Sequence, residues 1–163
     1  MLGLLAAIAL APWAHPLAFR PLAGWHTEAS GTVNSQYDNS SLRLPKESTA
    51  WIARNVRYRS PATGDPPNKT LLRMPRNGVI VWAVIFQART HGQKPIRLDL
   101  RRARHLPCCE GERVAGGVSE LTGAGPRRAY SVIVRVYFGS GPMPTLRLQA
   151  QRALDRLQLP PPR

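Results

Sequence analysis

An unbroken apolar stretch at residues 79–86 decides the fold, and it reads Val-Ile-Val-Trp-Ala-Val-Ile-Phe. It directly follows Asn77-Gly78, a pair of residues that is typical of a turn. Its side chains are mostly β-branched or aromatic, and both kinds pack well on the pleated surface of a sheet. Because no polar residue alternates with the apolar ones, the stretch is predicted to be a central strand that is buried on both faces.

A second core strand is predicted at residues 130–138, where two sets of side chains alternate. One predicted face is apolar and consists of Tyr130, Val132, Val134, Val136 and Phe138. The other predicted face consists of Ile133, Arg135 and Tyr137. Alternation also predicts further strands within residues 24–33, 51–59 and 96–101.

An amphipathic helix is predicted over residues 144–158, after the last strand. Its apolar side chains recur at helical spacing and form one stripe, which consists of Leu146, Ala150, Ala153, Leu154 and Leu157. Pro144 suits the first turn of a helix, because the N–H that proline lacks would have no partner there. Prolines at residues 160–162 end the helix.

Loops are predicted at residues 34–41, 60–69 and 105–117, where Pro, Gly and short polar residues cluster. Strands that follow one another without intervening helices favour antiparallel pairing. The sequence therefore predicts an α+β fold, with a mainly antiparallel β-sheet of roughly five to seven strands. The C-terminal amphipathic helix is expected to pack on one face of this sheet.

Residues 2–11 form a continuous apolar run, Leu-Gly-Leu-Leu-Ala-Ala-Ile-Ala-Leu-Ala. A membrane-spanning helix needs about 20 such residues, so the run is too short to span but has the length of a signal-peptide core. Because no basic residue precedes Leu2, we expect either an atypical signal or a chain whose true start lies further upstream. We expect residues 1–19 to be a signal-peptide-like or membrane-anchoring segment, followed by a single β-rich domain over residues 20–160. The alternative is a buried N-terminal helix of a cytosolic domain.

The chain is strongly basic, with 23 Lys and Arg residues against 9 Asp and Glu and a net charge of +14. One interpretation is a GC-rich coding sequence whose many arginines are simply solvated. The other is an anionic partner, either an envelope polymer or lipid head groups, with nucleic acid as the less favoured choice. The longest basic cluster supplies the candidate anion-binding residues, Arg101, Arg102 and Arg104.

No strong catalytic or metal-binding pattern stands out in the sequence. The histidines are His15, His26, His91 and His105, and none has the spacing of a metal site. The glycine-rich segments lack the pattern and the Lys of a phosphate-binding loop. We therefore predict no catalytic, cofactor-binding or metal-binding residue, and the sequence identifies no small-molecule ligand.

Cys108 and Cys109 are the only cysteines of the chain, and they are adjacent. In an oxidising compartment they can pair with each other, pair between molecules, or stay reduced through burial. Pro107 and Gly111 stand close by and leave the backbone room for a vicinal disulfide, which is the outcome that we favour. Adjacent thiols in an extended chain point to different sides, so a shared metal ion is not expected.

The order of these pieces resembles uncharacterised exported β-rich proteins of high-GC Gram-positive bacteria. The matching pieces are Gly24-Trp25-His26, Pro-Arg-Asn-Gly-Val-Ile-Val at residues 75–81, Val-Arg-Val-Tyr-Phe-Gly at residues 134–139, and Ala-Leu-Asp-Arg-Leu-Gln-Leu-Pro at residues 153–160. The likeness covers most of residues 24–160. It implies an exported location and a β-rich fold, and it carries over no activity and no functional residue.

The sequence predicts a non-enzymatic exported or cell-envelope domain that binds an anionic surface or polymer. A cytosolic nucleic-acid-binding protein is the first alternative, since it would use the same basic charge. A thiol-dependent or hydrolytic enzyme is the second alternative. That enzyme would need a pocket in which His26 or His105 faces a nucleophile.

Overall fold

The computed structural model describes residues 18–20, 22–32, 48–57, 68–86, 92–106, 114–128 and 130–159. The strands within these ranges are β1 (Ala18–Phe19), β2 (His26–Thr32), β3 (Ser48–Arg54), β4 (Val79–Phe86), β5 (Arg104–Leu106), β6 (Val118–Ala124), β7 (Ser131–Phe138) and β8 (Leu157–Gln158). The α-helices are α1 (Asn68–Leu72) and α2 (Met143–Leu154). Short 3-10 helices span Leu100–Arg102 and Pro126–Arg128.

The main sheet has six strands in the order β2-β3-β4-β7-β6-β5. Every neighbouring pair in it is antiparallel, and α2 packs against β4 and β7. The predicted α+β architecture, a mainly antiparallel sheet with one C-terminal helix, is thereby confirmed. Strands β1 and β8 form a separate two-stranded pair.

Strand β4 lies at the centre of the sheet, between β3 and β7. Its side chains from Val79 to Ile85 are all at most 3% exposed, as the apolar stretch predicts. Strand β7 is its direct partner, and Val81 stands opposite Val136. Apolar burial of this kind contributes about 25 cal/mol for each Å² removed from water, so the β4–β7 pair anchors the fold.

One face of the sheet, here called the helix face, is covered by α2. The buried side chains that α2 adds to this core are the predicted ones, Leu146, Ala150, Ala153 and Leu154. The helix ends at Leu154 rather than at residue 158 as expected. Residues Leu157–Gln158 pair with β1 instead, and this pairing leaves Leu157 in the core as part of a strand.

The other face of the sheet, here called the opposite face, has its own apolar cluster. Trp82 lies on this face and not under the helix, together with Ile52 and Ile80 from the neighbouring positions of the sheet. Leu71 of α1 and Met74 pack on the same cluster. Asn68 and Lys69 were expected in a loop and instead begin α1. The predicted loop residues 34–41 and 60–67 lie outside the described ranges.

Several strands of the structure differ from the sequence-based expectation, most of them near residue 100. The predicted strand at residues 96–101 is wrong, because Asp99 caps the 3-10 helix Leu100–Arg102 through a bond from the Arg101 N–H. Strand β5 begins directly afterwards and includes His105 and Leu106, which were expected in an irregular segment. Strand β6, which alternates only weakly, was not predicted at all. The predicted strand at residues 51–59 corresponds to β3, which starts earlier and ends at Arg54.

Strands β1 and β8 bring the two ends of the described chain together. Ala18 stands opposite Gln158 and Phe19 opposite Leu157, and the Arg20 N–H donates to the Arg156 carbonyl at 2.9 Å. Two residues of the expected N-terminal segment 1–19 are thus paired with the end of the domain. Residues 1–17, which include the apolar run, lie outside the described ranges.

Candidate anion-binding cleft

Two of the three predicted anion-binding residues, Arg102 and Arg104, line one cleft of about 660 Å³. The described residues around the cleft come from three chain segments, and they are Lys94, Pro95, Arg97, Arg102, Arg104, Glu120, Leu121 and Thr122. Lys94 and Arg97 were not predicted, because they are separated in sequence from the cluster at residues 101–104. The cleft therefore gathers basic side chains that no single stretch of sequence contains.

Arg101, the third predicted residue, is engaged outside the lining of the cleft. Its Nε and Nη2 donate to the two carboxylate oxygens of Asp99 at 3.0 and 2.9 Å. These side-chain hydrogen bonds, more than the charge alone, lower the pKa of Asp99 below its ordinary 3.8 and raise that of Arg101. Arg101 therefore stabilises the carboxylate of Asp99, which caps the 3-10 helix, and its own charge is paired with that carboxylate.

The cleft lies beside the edge of β6, where the chain leaves this strand after Ile96 and returns to it at Arg104. This segment, residues 97–103, is here called the detour. The Ile96 N–H donates to the Ala124 carbonyl at 2.8 Å, and the Ala124 N–H donates to the Lys94 carbonyl at 2.9 Å. Strand β5 rejoins β6 only at Arg104, which stands opposite Glu120. Between these two points the chain moves away from β6, and the space that it leaves is the cleft.

Gly123 lets the first wall of the cleft lie close to β6. A Cβ at this position would come within 2.8 Å of the Ile96 Cα and 2.9 Å of the Lys94 carbonyl oxygen. Contacts to backbone at such distances cannot be relieved by rotating a side chain. Glycine is therefore needed here so that Lys94, and the wall that it begins, can approach the sheet.

Helix α2 holds the detour in place through polar side chains. The Gln151 amide accepts from the Leu100 N–H at 2.9 Å and donates to the Leu98 carbonyl at 2.8 Å. Arg147 also donates to the Leu100 carbonyl. Backbone groups that a strand would have used for pairing are satisfied by the helix instead. The basic wall that carries Arg97 and Arg102 is thereby fixed to the core.

A row of charged side chains runs from the cleft into the opposite face. Neighbouring strands place Arg104, Glu120, Arg135 and Trp82 directly opposite one another. Glu120 is only 8% exposed, and its two oxygens accept from Arg104 Nη2 at 3.1 Å and Arg135 Nε at 2.9 Å. The Arg135 guanidinium carbon lies 5.6 Å from the centre of the Trp82 ring, which is cation–π range. Glu120 thus positions Arg104 at the rim of the cleft.

The remaining cations of the cleft are available to a ligand. The side chains of Lys94, Arg97 and Arg102 form no hydrogen bond or ion pair with any residue that the structure describes, and all three residues are exposed. The Thr122 side chain on the lining is exposed as well. Such a surface suits a ligand with several anionic groups, since guanidinium groups bind phosphate and carboxylate oxygens in pairs.

Exposed arginines also lie on other parts of the molecule. They include Arg57, Arg73, Arg76, Arg127, Arg128, Arg152 and Arg156. Much of the basic charge among the described residues is thus spread over the surface, in agreement with solvated arginines. The cleft differs because its cations share one concave surface.

The other sequence-based candidates do not form a site in the described part of the chain. Cys108, Cys109, His15 and His91 lie outside the described ranges, so the vicinal disulfide stays a prediction. His26 and His105 are exposed. Among the described residues, no three His, Cys, Asp or Glu side chains gather where they could hold a metal ion. The helices that the structure describes include none that is long and apolar enough to cross a membrane.

The cleft is therefore characterised by its own geometry and charge. The resemblance to exported proteins of high-GC Gram-positive bacteria remains a prediction from the residues. No protein-family profile, curated protein or solved structure matches this chain.

Proposed function

We propose that the protein is a non-enzymatic binding domain for an anionic polymer, whose charged groups enter the cleft beside β6. The observation that carries the proposal is the meeting of Lys94, Arg97 and Arg102 on one concave surface, where their side chains form no ion pair within the described ranges. Arg104 joins them from the rim, where Glu120 holds it. Three cations that form no ion pair with the described part of the chain favour a ligand that presents several negative charges at once.

A polymer chain fits this surface better than a lipid bilayer does. The cations line a cleft, so a flat layer of head groups would reach only those at the rim. Surface-binding proteins also insert apolar side chains into the bilayer. The large apolar side chains exposed among the described residues are Leu72 and Leu148, which stand apart on α1 and α2 and form no insertion patch.

The proposed location of this binding is the cell envelope. The support is the apolar run at residues 2–11, which has the length of a signal-peptide core. An exported basic domain would meet the anionic polymers of the envelope rather than nucleic acid. Fractionation of cells that express the full chain tests this part separately, and recovery in the cytosol would overturn it.

The binding proposal is tested with two double variants that remove equal charge. Arg102→Gln/Arg104→Gln removes two cations from the cleft, and Arg73→Gln/Arg76→Gln removes two exposed arginines that do not line it. Each purified protein is loaded on immobilised polyphosphate, on vesicles that contain phosphatidylglycerol, and on duplex DNA, and is eluted with salt. Thermal unfolding confirms that each variant is folded.

The proposal expects the cleft variant to elute from polyphosphate at clearly lower salt than the Arg73/Arg76 variant. Each lost ionic contact should reduce the slope of log affinity against log salt by about 0.7–0.9, the value known for nucleic acids. Equal loss in both variants would mean that net charge alone governs binding, which overturns the proposal. Retention on DNA or vesicles to higher salt than on polyphosphate would overturn the choice of ligand.

A further inference from the structure

A second pocket, of about 310 Å³, lies between the turn that precedes β2, the end of β3 and helix α2. The described residues around it are Leu22, Ala23, Gly24, Trp25, Asn55, Gln149 and Arg152. It shares no lining residue with the basic cleft. We infer that this pocket binds a single sugar acid, a pyranose ring that carries a carboxylate, through Trp25, Gln149 and Arg152.

Asn55 makes the base of this pocket rigid. Its Oδ1 accepts from the Val79 N–H at 2.6 Å, and its Nδ2 donates to the Asn77 carbonyl at 2.9 Å. The same Nδ2 donates to Gln149 Oε1 at 3.1 Å. The Gln149 carbonyl is therefore engaged, and its amide nitrogen is the polar group left for a ligand. That nitrogen can only donate hydrogen bonds.

Arg152 supplies the charge of the pocket. It follows Gln149 by three residues on α2, a spacing that places both side chains on the same face of a helix. Arg152 is exposed, and its side chain forms no hydrogen bond or ion pair with the described residues. A guanidinium beside an amide donor matches a group that only accepts hydrogen bonds, and a carboxylate is such a group.

Trp25 supplies an apolar surface beside these donors. Its side chain is half-buried and packs against the helix-face core, and its backbone N–H donates to the Leu22 carbonyl at 3.0 Å. Gly24 makes the turn that precedes it, with φ of +76°, a conformation that favours glycine. An indole ring that packs on the core and lines the pocket offers a flat surface to the C–H groups on one face of a pyranose.

The size of the pocket limits the ligand to one ring. Ligand pockets range from about 300 to 1,000 Å³, so this one is at the lower limit of the range. A ring carboxylate can be a sugar acid or an aromatic acid. The sugar acid is favoured, because its hydroxyl groups remain solvated in a pocket that is open on one side. The apolar ring of an aromatic acid would instead leave one side exposed to water in this open pocket, and it would bind more strongly in a fully enclosed one.

NMR titration of the full chain with glucuronate tests this inference. Benzoate provides a carboxylate on a flat ring, and methyl glucoside provides a sugar without a carboxylate. The variant Arg152→Gln removes the charge of the pocket. Its matched control, Arg156→Gln, removes an exposed charge just beyond the end of α2 that does not line the pocket.

Glucuronate is expected to shift the signals of Trp25 and Gln149 and to bind at least about tenfold more weakly to Arg152→Gln, since a charge-assisted hydrogen bond contributes that much. Arg156→Gln and the cleft variant Arg102→Gln/Arg104→Gln should bind it like the parent protein. Tighter binding of benzoate or of methyl glucoside would overturn the choice of a sugar acid. Equal weakening by Arg152→Gln and Arg156→Gln, or no shift at Trp25, would overturn the site. Neither result depends on whether the cleft binds a polymer.

Discussion

The two faces of the main sheet use the same strands for different purposes. On the helix face, alternate residues of β4 and β7, such as Val81 and Val134, join the leucines of α2 in an apolar core. The residues between them point to the opposite face, where they form an apolar cluster around Trp82. Beside this cluster lie the charged side chains of Arg135 and Glu120. The buried charged side chains among the described residues, Arg54 and Glu120, both belong to the opposite face.

The difference shows how a charged site can be attached to a stable fold. Side chains alternate between faces along a strand, so a charge on one face leaves the other face apolar. The polar row on the opposite face ends at the cleft, where Arg104 reaches the rim. We expect Trp82 to affect folding most, Glu120 and Gly123 to affect both folding and binding, and the exposed pair of Asp99 and Arg101 to affect stability least.

The largest effect is expected from Trp82→Ala. Trp82 is 2% exposed, so its loss removes a large buried side chain and should lower the free energy of unfolding by about 3–5 kcal/mol. Urea denaturation measures the change, and Trp82→Phe, which keeps most of the apolar volume, should cost clearly less. A loss below about 1 kcal/mol would contradict the core position of Trp82.

The next effect is expected from Glu120→Leu. This change leaves Arg135, whose side chain is 19% exposed, without its carboxylate partner, and should cost about 2–3 kcal/mol of stability. The double variant Glu120→Leu/Arg135→Met should recover much of the loss, because the charge that remains from the row, on Arg104, is exposed to water. The same two proteins also report on binding, since Arg104 loses the group that positions it. A double variant less stable than Glu120→Leu would show that the row is not a coupled pair.

A smaller effect is expected from Gly123→Ala. The added methyl group meets the backbone of Ile96 and Lys94, so the wall must move, at a cost of about 1–2 kcal/mol. The shift should also weaken polyphosphate binding, although no charge has changed. Unchanged binding by a folded Gly123→Ala protein would contradict the role of this close approach.

The smallest effect is expected from the exposed pair of Asp99 and Arg101. Hydrogen bonds from Arg101 lower the pKa of Asp99 below its ordinary 3.8 in the folded protein. The pair therefore stabilises the fold fully above pH 3.8, and this contribution is lost as the pH falls through the lower folded pKa. Carbon-detected NMR titration should show that the Asp99 carboxylate protonates at lower pH after folding than in the unfolded chain. In Arg101→Gln the folded value should return toward 3.8, and an unchanged value would contradict the assigned cause.

The strongest elements of the fold could be predicted from sequence because a single physical signal dominated each of them. A continuous apolar stretch predicted β4, strict alternation predicted β7, and an apolar stripe at helical spacing predicted α2. Strand β6 was missed because Ser119 is buried beside its apolar neighbours, which hides the alternation. The prediction of a strand at residues 96–101 was wrong because an alternating pattern does not show what the backbone bonds to. Here the backbone groups of Leu98 and Leu100 form hydrogen bonds with a side chain of α2 instead of with a neighbouring strand. That side chain, of Gln151, lies about fifty residues away in sequence.

The cleft could be predicted only in part, because contacts between segments that are distant in sequence leave no local pattern. Charge density along the chain pointed to Arg101, Arg102 and Arg104, and two of these line the cleft. It could not distinguish Arg101, whose charge is matched by Asp99. Lys94 and Arg97 come near the others only through the contact of their segment with β6, and no local pattern reports that contact.

The pairing of β1 with β8 has a mechanical consequence. Because the two strands are antiparallel, the chain enters at Ala18 and leaves after Gln158 at the same end of the pair. A force that pulls these ends apart therefore loads the hydrogen bonds of the pair one after another instead of all together. The pair should open like a zipper at low force, while the main sheet, with its six strands and the helix across it, stays folded. A domain under tension would thus lengthen slightly before its core or its cleft carried any load.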